Sequence, residues 1–199
     1  MVVVGLTGSV GTGKSTVAGF FKEMGAYVID WDELARHVVR PDTEAWREIV
    51  LRFGEDVLND DSTINRQKLA ETVFQDREQL RELNRIVHPQ VYKEDERITR
   101  EIGSLDPDAV IIKDIPLLYE VSPPVSLDKT VVVAASEQTQ LQRLEERGMS
   151  QEEAEKRIRS QLPIEQKVKS ADFVINNDGP PEETRKQVQA IYALLKKGE

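Results

Sequence analysis

The sequence predicts an α/β fold with a mostly parallel central β-sheet. Short runs rich in valine and isoleucine alternate along the 199 residues with longer amphipathic stretches, as in sheets whose strands are joined by helices. A glycine-rich loop at positions 8–15 follows the first apolar run and precedes a helical pattern. Together these observations predict a three-layer fold with a five-stranded parallel sheet.

Five segments are predicted to be strands, because apolar residues occupy consecutive positions in each of them. That pattern is typical of strands covered by helices on both faces. The segments are Val2 to Thr7, Ala26 to Asp30, Ala109 to Asp114, Thr130 to Ala134 and Asp172 to Ile175.

Capping residues mark the ends of several predicted helices. Gly54 follows the amphipathic segment Thr43 to Phe53, and glycine is the preferred residue just after a helix. Ser150 and Glu153 form a capping-box pattern before a helix predicted over Gln151 to Leu162.

The segment between the second and third strands has no strand pattern. Its helical spacing predicts an insertion of helices beside the sheet. His88-Pro89 is expected to separate the last two helices, because proline favours the first turn of a helix. The predicted helices are Glu44 to Phe53, Arg66 to Phe74, Arg77 to Val87 and Gln90 to Ile102.

Composition excludes several classes of protein. A net charge of −9 and a pI near 5.0 argue against a surface that holds nucleic acid or an anionic membrane. No apolar run is long enough for a membrane helix, and the first residues lack the basic flank of a secretory signal. The chain has no cysteine and two histidines, which excludes thiol chemistry and argues against an imidazole-rich metal site. We expect a soluble, cytoplasmic protein.

The glycine-rich loop is an unbroken match to the pattern of glycine, four residues, then Gly-Lys-Ser. In such a P-loop, backbone N–H groups and a helix N-terminus hold phosphate oxygens, while the lysine reaches the β and γ phosphates. The serine hydroxyl binds Mg²⁺. The sequence therefore predicts binding of ATP with Mg²⁺. The candidate ligands are Gly8, Gly11, Thr12, Gly13, Lys14, Ser15 and Thr16, with Ser15 also as metal ligand.

Acidic residues follow the second and third strands. Asp30 and Asp32 flank Trp31, and Asp114 ends the third strand. Ligands bind at the carboxyl ends of strands in open α/β sheets, so Asp30 or Asp114 could hold Mg²⁺ through water. Asp32 could orient and deprotonate an acceptor hydroxyl. Alternatively, Asp32 could be the N-cap of a helix over Glu33 to Val39.

The ordered set of motifs resembles the dephospho-coenzyme A kinase family over nearly the whole chain. The P-loop alone is generic, but its combination with the other motifs is specific. The matching segments are Gly5-Leu6-Thr7-Gly8, Val28-Ile29-Asp30-Trp31-Asp32, Ile64-Asn65-Arg66, His88-Pro89, Asp114-Ile115-Pro116-Leu117-Leu118-Tyr119-Glu120, Gln140 with Arg143 and Arg147, Gln161-Leu162-Pro163 with Lys167, and Ala171-Asp172 with Asn176.

The resemblance implies a fold like that of nucleoside monophosphate kinases, with a short lid. Its boundaries would be a P-loop core at 1–35, 105–147 and 168–199, a helical substrate-binding insertion at 36–104 and a lid at 148–167. The implied reaction transfers the γ-phosphoryl group of ATP to the ribose 3′-hydroxyl of dephospho-coenzyme A. The products would be coenzyme A and ADP, with Mg²⁺ bound to the ATP.

The resemblance also implies roles for individual side chains. Asp32, Lys14, Arg143 and Arg147 would be catalytic, and Arg143 and Asn176 would contact ATP. From the sequence alone, the two arginines could instead form surface ion pairs with nearby glutamates. The implied acceptor ligands are Thr7, Asp32, Arg66, His88, Pro116, Leu117 and Leu118.

Two of these positions leave alternatives open. His88 could instead have a capping or core role, and Arg66 could lie on the surface. The sequence departs from the family pattern at Trp31, where a small residue is usual. The indole could point into the acceptor site or pack beneath it.

Two other functions share some of these features. A kinase acting on a nucleoside monophosphate or a shikimate-like acceptor would have the same loop and lid. A nucleotide-switch ATPase would bind a protein in place of a second small molecule, but the chain lacks the Asn-Lys-x-Asp guanine signature. The sequence does not specify an oligomeric state.

Overall fold

The computed structural model, which describes residues 1–74 and 76–198, contains a five-stranded sheet in which all paired strands are parallel. The strand order is β2-β3-β1-β4-β5. Each predicted strand is present within a residue or two of its predicted bounds, which confirms the fold class. The strands are β1 (Val2–Gly8), β2 (Tyr27–Asp30), β3 (Val110–Asp114), β4 (Lys129–Ala134) and β5 (Phe173–Asn176).

The strands are joined by helices, and the chain segment between β2 and β3 is mainly helical. They are α1 (Lys14–Glu23), α2 (Trp31–His37), α3 (Glu44–Phe53), α4 (Arg66–Phe74), α5 (Arg77–Leu105), α6 (Leu118–Val121), α7 (Glu137–Glu145), α8 (Gln151–Arg159), α9 (Ile164–Lys169) and α10 (Pro181–Lys197). Within the described part of the chain, no helix is both long and apolar enough to cross a membrane.

The chain divides into two compact units. The first comprises Met1–Asp30 and Glu101–Glu199, and contains the sheet. The second comprises Trp31–Arg100 and contains α2, α3, α4 and most of α5. The finer boundaries given by the family resemblance, including the lid, remain a prediction.

The core of the first unit lies between the sheet, α1 and α10. Val4 and Leu6 of the central strand β1 are completely buried, as are Phe21 of α1 and Val188 of α10. Burying a large apolar side chain stabilises a fold by about 2 kcal/mol. Strand β1 pairs with β3 along one edge and with β4 along the other. The loop that follows β1 therefore begins from a fixed point.

The structure confirms the predicted caps. Gly54 ends α3 with a φ of 84°, a conformation that glycine adopts without strain. Ser150 and Glu153 form a capping box at the start of α8, in which each side chain bonds the other residue's backbone N–H. However, α8 ends at Arg159 and does not reach Leu162 as predicted.

The predicted break at His88-Pro89 is wrong, because α5 is a single helix with Pro89 in its interior. Proline removes one hydrogen bond to the carbonyl four residues earlier, that of Arg85. Both residues are exposed, so water can hydrate the freed carbonyl. The turns on either side keep their hydrogen bonds, and the helix continues.

The capping alternative for Asp32 is also wrong. Helix α2 begins at Trp31, two residues earlier than predicted, and Asp32 lies inside its first turn. There its negative charge interacts favourably with the helix dipole. A capping requirement therefore does not explain an aspartate at this position.

We predict that Pro89→Ala raises the stability of the protein. Alanine restores the missing hydrogen bond in α5, and we expect a gain of about 2 kcal/mol after allowing for the greater freedom of the unfolded chain. This corresponds to a rise in Tm of roughly 4–8 °C in thermal unfolding followed by circular dichroism. Lys93→Ala, at another exposed position of α5, serves as the control and should change Tm little. An unchanged or lower Tm for Pro89→Ala would contradict the prediction.

Candidate active site

The loop after β1 has the backbone conformation of a phosphate-binding loop. Gly11 and Gly13 adopt φ angles of 79° and 85°, which residues with a side chain rarely do. A Cβ atom on Gly11 would lie 2.8 Å from the carbonyl oxygen of Gln140, and one on Gly13 would collide with Asn177. Both glycines are therefore required by conformation and by space. The loop leads directly into α1, whose N-terminus carries partial positive charge.

Two side chains from distant parts of the chain hold the carbonyl groups of this loop. The Asn177 amide donates to the Thr12 carbonyl at 2.7 Å. The Arg143 guanidinium donates to the carbonyls of Gly11 and Thr12 at 3.4 and 3.2 Å, and to that of Asn177 at 2.7 Å. The hydroxyl of buried Thr184 in turn donates to the Asn177 side chain at 2.8 Å. The carbonyls on the outside of the loop are thus satisfied by fixed donors.

The contact of Asn176 with ATP that the family resemblance implies stays a prediction, and in the structure it is the neighbouring residue that contacts the loop. Asn176 is exposed, and its side-chain oxygen accepts a hydrogen bond from the Asp178 backbone at 2.9 Å. Asn177 is buried and holds the Thr12 carbonyl. Two adjacent asparagines at the end of a strand point to opposite sides, so sequence spacing alone did not identify which one faces the loop.

Lys14 and Asp114 form an ion pair at the carboxyl edge of the sheet. Asp114 is only 4% exposed, and its register partner on the adjacent strand β2 is Asp30. Register partners project to the same side of a sheet, so the two carboxylates are neighbours. They present the oxygen ligands that Mg²⁺ prefers. Ser15, which follows Lys14 in the first turn of α1, is exposed.

These residues fit a Mg²⁺ ion that is held mainly by phosphates and water. Within residues 1–74 and 76–198, no group of three or more histidine, aspartate or glutamate side chains is arranged to hold a metal by itself. Mg²⁺ bound with a nucleotide usually keeps several waters and takes one or two protein ligands. The arrangement suits that mode of binding.

The loop after β3 contacts the end of β1 through Thr7. The Thr7 hydroxyl is completely buried and donates to the Pro116 carbonyl at 3.1 Å. Leu118 is also buried, whereas Leu117 is 41% exposed. Of these candidate acceptor residues, Leu117 therefore has the most surface available to a ligand.

Residues 161–167, which follow α8 and include the start of α9, contact Val10 and Glu120 at three points. The side-chain carbonyl of Gln161 accepts a hydrogen bond from the Val10 backbone N–H at 2.9 Å. Glu120 accepts from the Leu162 N–H at 3.1 Å and pairs with Lys167 at 2.7 Å. The Lys167 side chain is fully buried. The family resemblance included these residues without giving them roles, and the structure shows that they anchor one end of the predicted lid.

A basic concave surface lies between α7 and α8. The cavity has a volume of about 490 Å³, and Arg147, Lys156 and Arg157 are among its lining residues, together with Glu153. Arg159 instead pairs with Glu155 at 3.1 Å, one turn away on α8. Arg147 and Arg157 thus lie on one cavity, whereas Arg159 forms an ion pair on the surface.

The second unit contains the remaining acceptor candidates. Asp32 is exposed in the first turn of α2, and Arg66 is exposed at the first position of α4. Arg66 is the charged residue on an otherwise apolar cavity of about 230 Å³. The other lining residues are Ala35, Val39, Ile49, Ile64, Leu69, Ala70, Val73, Leu80, Leu83 and Val87.

His88 belongs to an aromatic cluster in the second unit. Its ring centroid lies 5.9 Å from that of Tyr92, which lies 5.7 Å from that of Trp31. The Trp31 indole N–H donates to the carboxylate of Asp95 at 3.0 Å. Burial lowers the pKa of His88 below its ordinary value of 6.5, because the protonated ring would lose hydration there. The ring is therefore neutral at pH 7.

Comparison with known proteins assigns a family to this arrangement. A sequence model described as dephospho-CoA kinase matches residues 2–183. A dephospho-CoA kinase from Syntrophus aciditrophicus (strain SB) is 46% identical over 200 residues, covering 100% of this chain and 85% of that protein.

Two solved structures are also similar to this chain. The crystal structure of TT1252 from Thermus thermophilus has a TM-score of 0.79 and 34% identity, and covers 96% of both chains. A dephospho-CoA kinase from Campylobacter jejuni has a TM-score of 0.66 and 26% identity, with 98% of both chains covered. The family match extends over both units and includes the phosphate loop described above. The chain belongs to the dephospho-CoA kinase family.

Proposed function

We propose that this chain transfers the γ-phosphoryl group of ATP to the ribose 3′-hydroxyl of dephospho-coenzyme A, giving coenzyme A and ADP. The observation that carries the proposal is the family match over residues 2–183, which spans both the phosphate loop and the helical unit. The partners are therefore two small molecules. The net charge of −9 is consistent with this, since it disfavours nucleic acid and anionic membranes as partners.

The first unit supplies the nucleotide side of the reaction. Backbone N–H groups of the loop and the N-terminus of α1 would bind the ATP phosphates. Lys14 would exchange Asp114 for the β and γ phosphates, leaving that carboxylate available to a water of the magnesium shell. Mg²⁺, held in part by Ser15, would neutralise charge on the transferring group.

The second unit supplies the acceptor side. Asp32 is exposed in the first turn of a short helix, and would orient the 3′-hydroxyl and accept its proton. Arg66 would meet a phosphate of the acceptor at the rim of the apolar cavity. Positioning and electrostatic stabilisation would account for most of the rate enhancement, because phosphoryl transfer needs little covalent chemistry from the protein.

The segment 148–167 is proposed to close over bound phosphates as a lid, with Arg147 at its base. Helix α8 carries Arg157 onto the same cavity as Arg147, where both guanidinium groups could meet the transferring phosphoryl. At the end of this segment, Gln161 is hydrogen-bonded to Val10 and Leu162 is hydrogen-bonded to Glu120, so closure would pivot there. Excluding water from the site would prevent simple hydrolysis of ATP.

The experiment that tests the proposed function is an acceptor assay. Purified protein with Mg-ATP should form ADP rapidly only when dephospho-coenzyme A is present, and mass spectrometry should identify coenzyme A. Equal or faster turnover with AMP, CMP or shikimate would reassign the acceptor. ADP formation independent of any small acceptor would instead favour a nucleotide-switch ATPase.

We predict that Asp32→Asn abolishes most of the phosphoryl transfer while ATP binding persists. Asparagine has nearly the same shape but cannot take a proton, so kcat should fall on the order of 10²- to 10⁴-fold. A loose transition state that requires little proton removal would place the loss at the lower end. The measurement is kcat for dephospho-coenzyme A beside an ATP-binding isotherm. Asp30→Asn is the neighbouring control, and is expected to act through magnesium or the geometry of the strand end. Wild-type turnover in Asp32→Asn would exclude Asp32 as the base.

We also predict that lysine cannot replace Arg143. The guanidinium holds three carbonyls at once, whereas the single ammonium of lysine lacks that planar fork. Arg143→Ala and Arg143→Lys should both lower kcat and raise the KM for ATP by roughly 10-fold or more, corresponding to the loss of charge-assisted hydrogen bonds. The KM for the acceptor should change little.

The matched control for Arg143 is Arg159→Ala, which removes an exposed arginine of the same unit that pairs with Glu155. Its kinetic constants should stay near those of the wild type. If Arg143→Lys retained wild-type kcat and KM for ATP, the proposed role of the guanidinium in shaping the phosphate loop would be incorrect.

A further inference from the structure

Trp31, where the family resemblance leads us to expect a small residue, is the first residue of α2. The structure places its indole against α5, within the unit that carries the acceptor candidates. His88, Tyr92 and Asp95 lie four and three positions apart on α5, so they share one face of that helix. Trp31 contacts this face from the first turn of α2.

The indole is held in a single orientation. Its N–H donates to Asp95 at 3.0 Å, and Asp95 is only 1% exposed. Its ring is tilted by 46° against Tyr92, which is tilted by 45° against His88. Both centroid separations lie within the range of favourable aromatic contacts. A tryptophan fixed by a hydrogen bond and a ring contact loses little further freedom when a ligand packs on it.

The three rings are only partly buried. Trp31, Tyr92 and His88 are all intermediate in exposure, unlike the apolar core residues of the same unit such as Ile49. Such intermediate exposure is usual for these three residue types, and it means that the cluster is not closed off inside the core. The indole N–H is bonded to the buried Asp95, so any surface that Trp31 offers to a ligand belongs to the rest of the side chain.

The chemistry of the acceptor indicates what could use this surface. In dephospho-coenzyme A, one ribose ring carries both the 3′-hydroxyl that receives the phosphoryl group and the purine base. If Asp32 holds the hydroxyl, the purine must lie within the width of a ribose from that carboxylate. Trp31 is the residue next to Asp32 in the chain, and purines stack favourably on aromatic side chains.

We propose that Trp31, supported by Tyr92 and His88, is a stacking platform for the purine base of the acceptor. This inference rests on the proposed function and deepens it, by assigning a specificity-determining residue to the acceptor side. Asp95 is a positioning residue that acts through its hydrogen bond to the indole. The neutral His88 ring completes the platform without adding a charge beside the base.

Tryptophan fluorescence provides a binding measurement that does not depend on catalysis. The chain has two tryptophans, and Trp46 lies outside the cluster with its N–H bonded to the Ser62 carbonyl. In a Trp46→Phe background, Trp31 is the single reporter. Dephospho-coenzyme A added without ATP should quench its emission in a saturable way. Pantetheine 4′-phosphate, the half of the acceptor that lacks the purine, should not.

Kinetics of two variants test the platform in the reaction itself. Trp31→Ala, which restores a small residue, should raise the KM for dephospho-coenzyme A about 10- to 100-fold, the range for loss of one stacked base. The KM for ATP should stay the same. Trp31→Phe keeps a ring but loses the N–H, so its KM for the acceptor should rise less than that of Trp31→Ala. Trp46→Phe should leave all constants unchanged, and circular dichroism should show that each variant is folded.

The outcomes separate this inference from the proposed function. If the wild type makes coenzyme A but Trp31→Ala keeps its acceptor KM, or dephospho-coenzyme A leaves Trp31 emission unchanged, the platform is overturned and the function stands. If dephospho-coenzyme A quenches Trp31 but is never phosphorylated, the platform stands and the function is overturned.

Discussion

The constraint on which the site depends is that the phosphate loop must keep its N–H groups available while its carbonyls find partners elsewhere. Backbone carbonyls that turn away from a ligand into the protein need donors, since an unpaired buried polar group costs about 1–3 kcal/mol. Arg143 and Asn177 supply those donors from 131 and 165 residues along the chain. The loop therefore takes its shape only when α7 and the end of β5 are in place. Phosphate binding is in this way coupled to completion of the sheet.

The same loop is also connected to the segment that follows α8. Gln161 accepts the hydrogen bond of Val10, so one backbone N–H of the phosphate loop is occupied by a side chain from the predicted lid. Leu162 and Lys167 are then fixed through Glu120, which lies beyond the end of β3. Because residues 161–167 are attached at three points, their position is fixed relative to the phosphate loop. This arrangement explains why residues so far apart in sequence occur together in one family pattern.

Features determined by neighbouring residues could be predicted from the sequence, and features determined by distant contacts could not. The five strands, the Ser150 capping box and the glycine loop all follow from local patterns, and the structure confirms them. The role of Asn177, one position beyond the predicted Asn176, depends on which way a strand end faces the loop. Similarly, a proline usually marks a helix start, but the surrounding turns of α5 outweigh that local preference at Pro89.

Buried charges mark the points where geometry is fixed in each unit. Asp114 and Lys167 are almost inaccessible in the first unit, and Asp95 is almost inaccessible in the second. Removing a charge from water costs several kcal/mol, and apolar residues of similar volume often stabilise a fold equally well or better. Each of these groups nevertheless contacts a residue with a proposed role, directly or through one partner. Asp114 pairs with Lys14, and Asp95 accepts the hydrogen bond of Trp31. Lys167 pairs with Glu120, which also accepts from the Leu162 N–H next to Gln161. Their contribution is therefore directional, because a hydrogen-bonded charge specifies one orientation whereas an apolar contact permits several. The indole of Trp31 illustrates this, since ring packing alone would leave its N–H edge free to turn, and Asp95 removes that freedom.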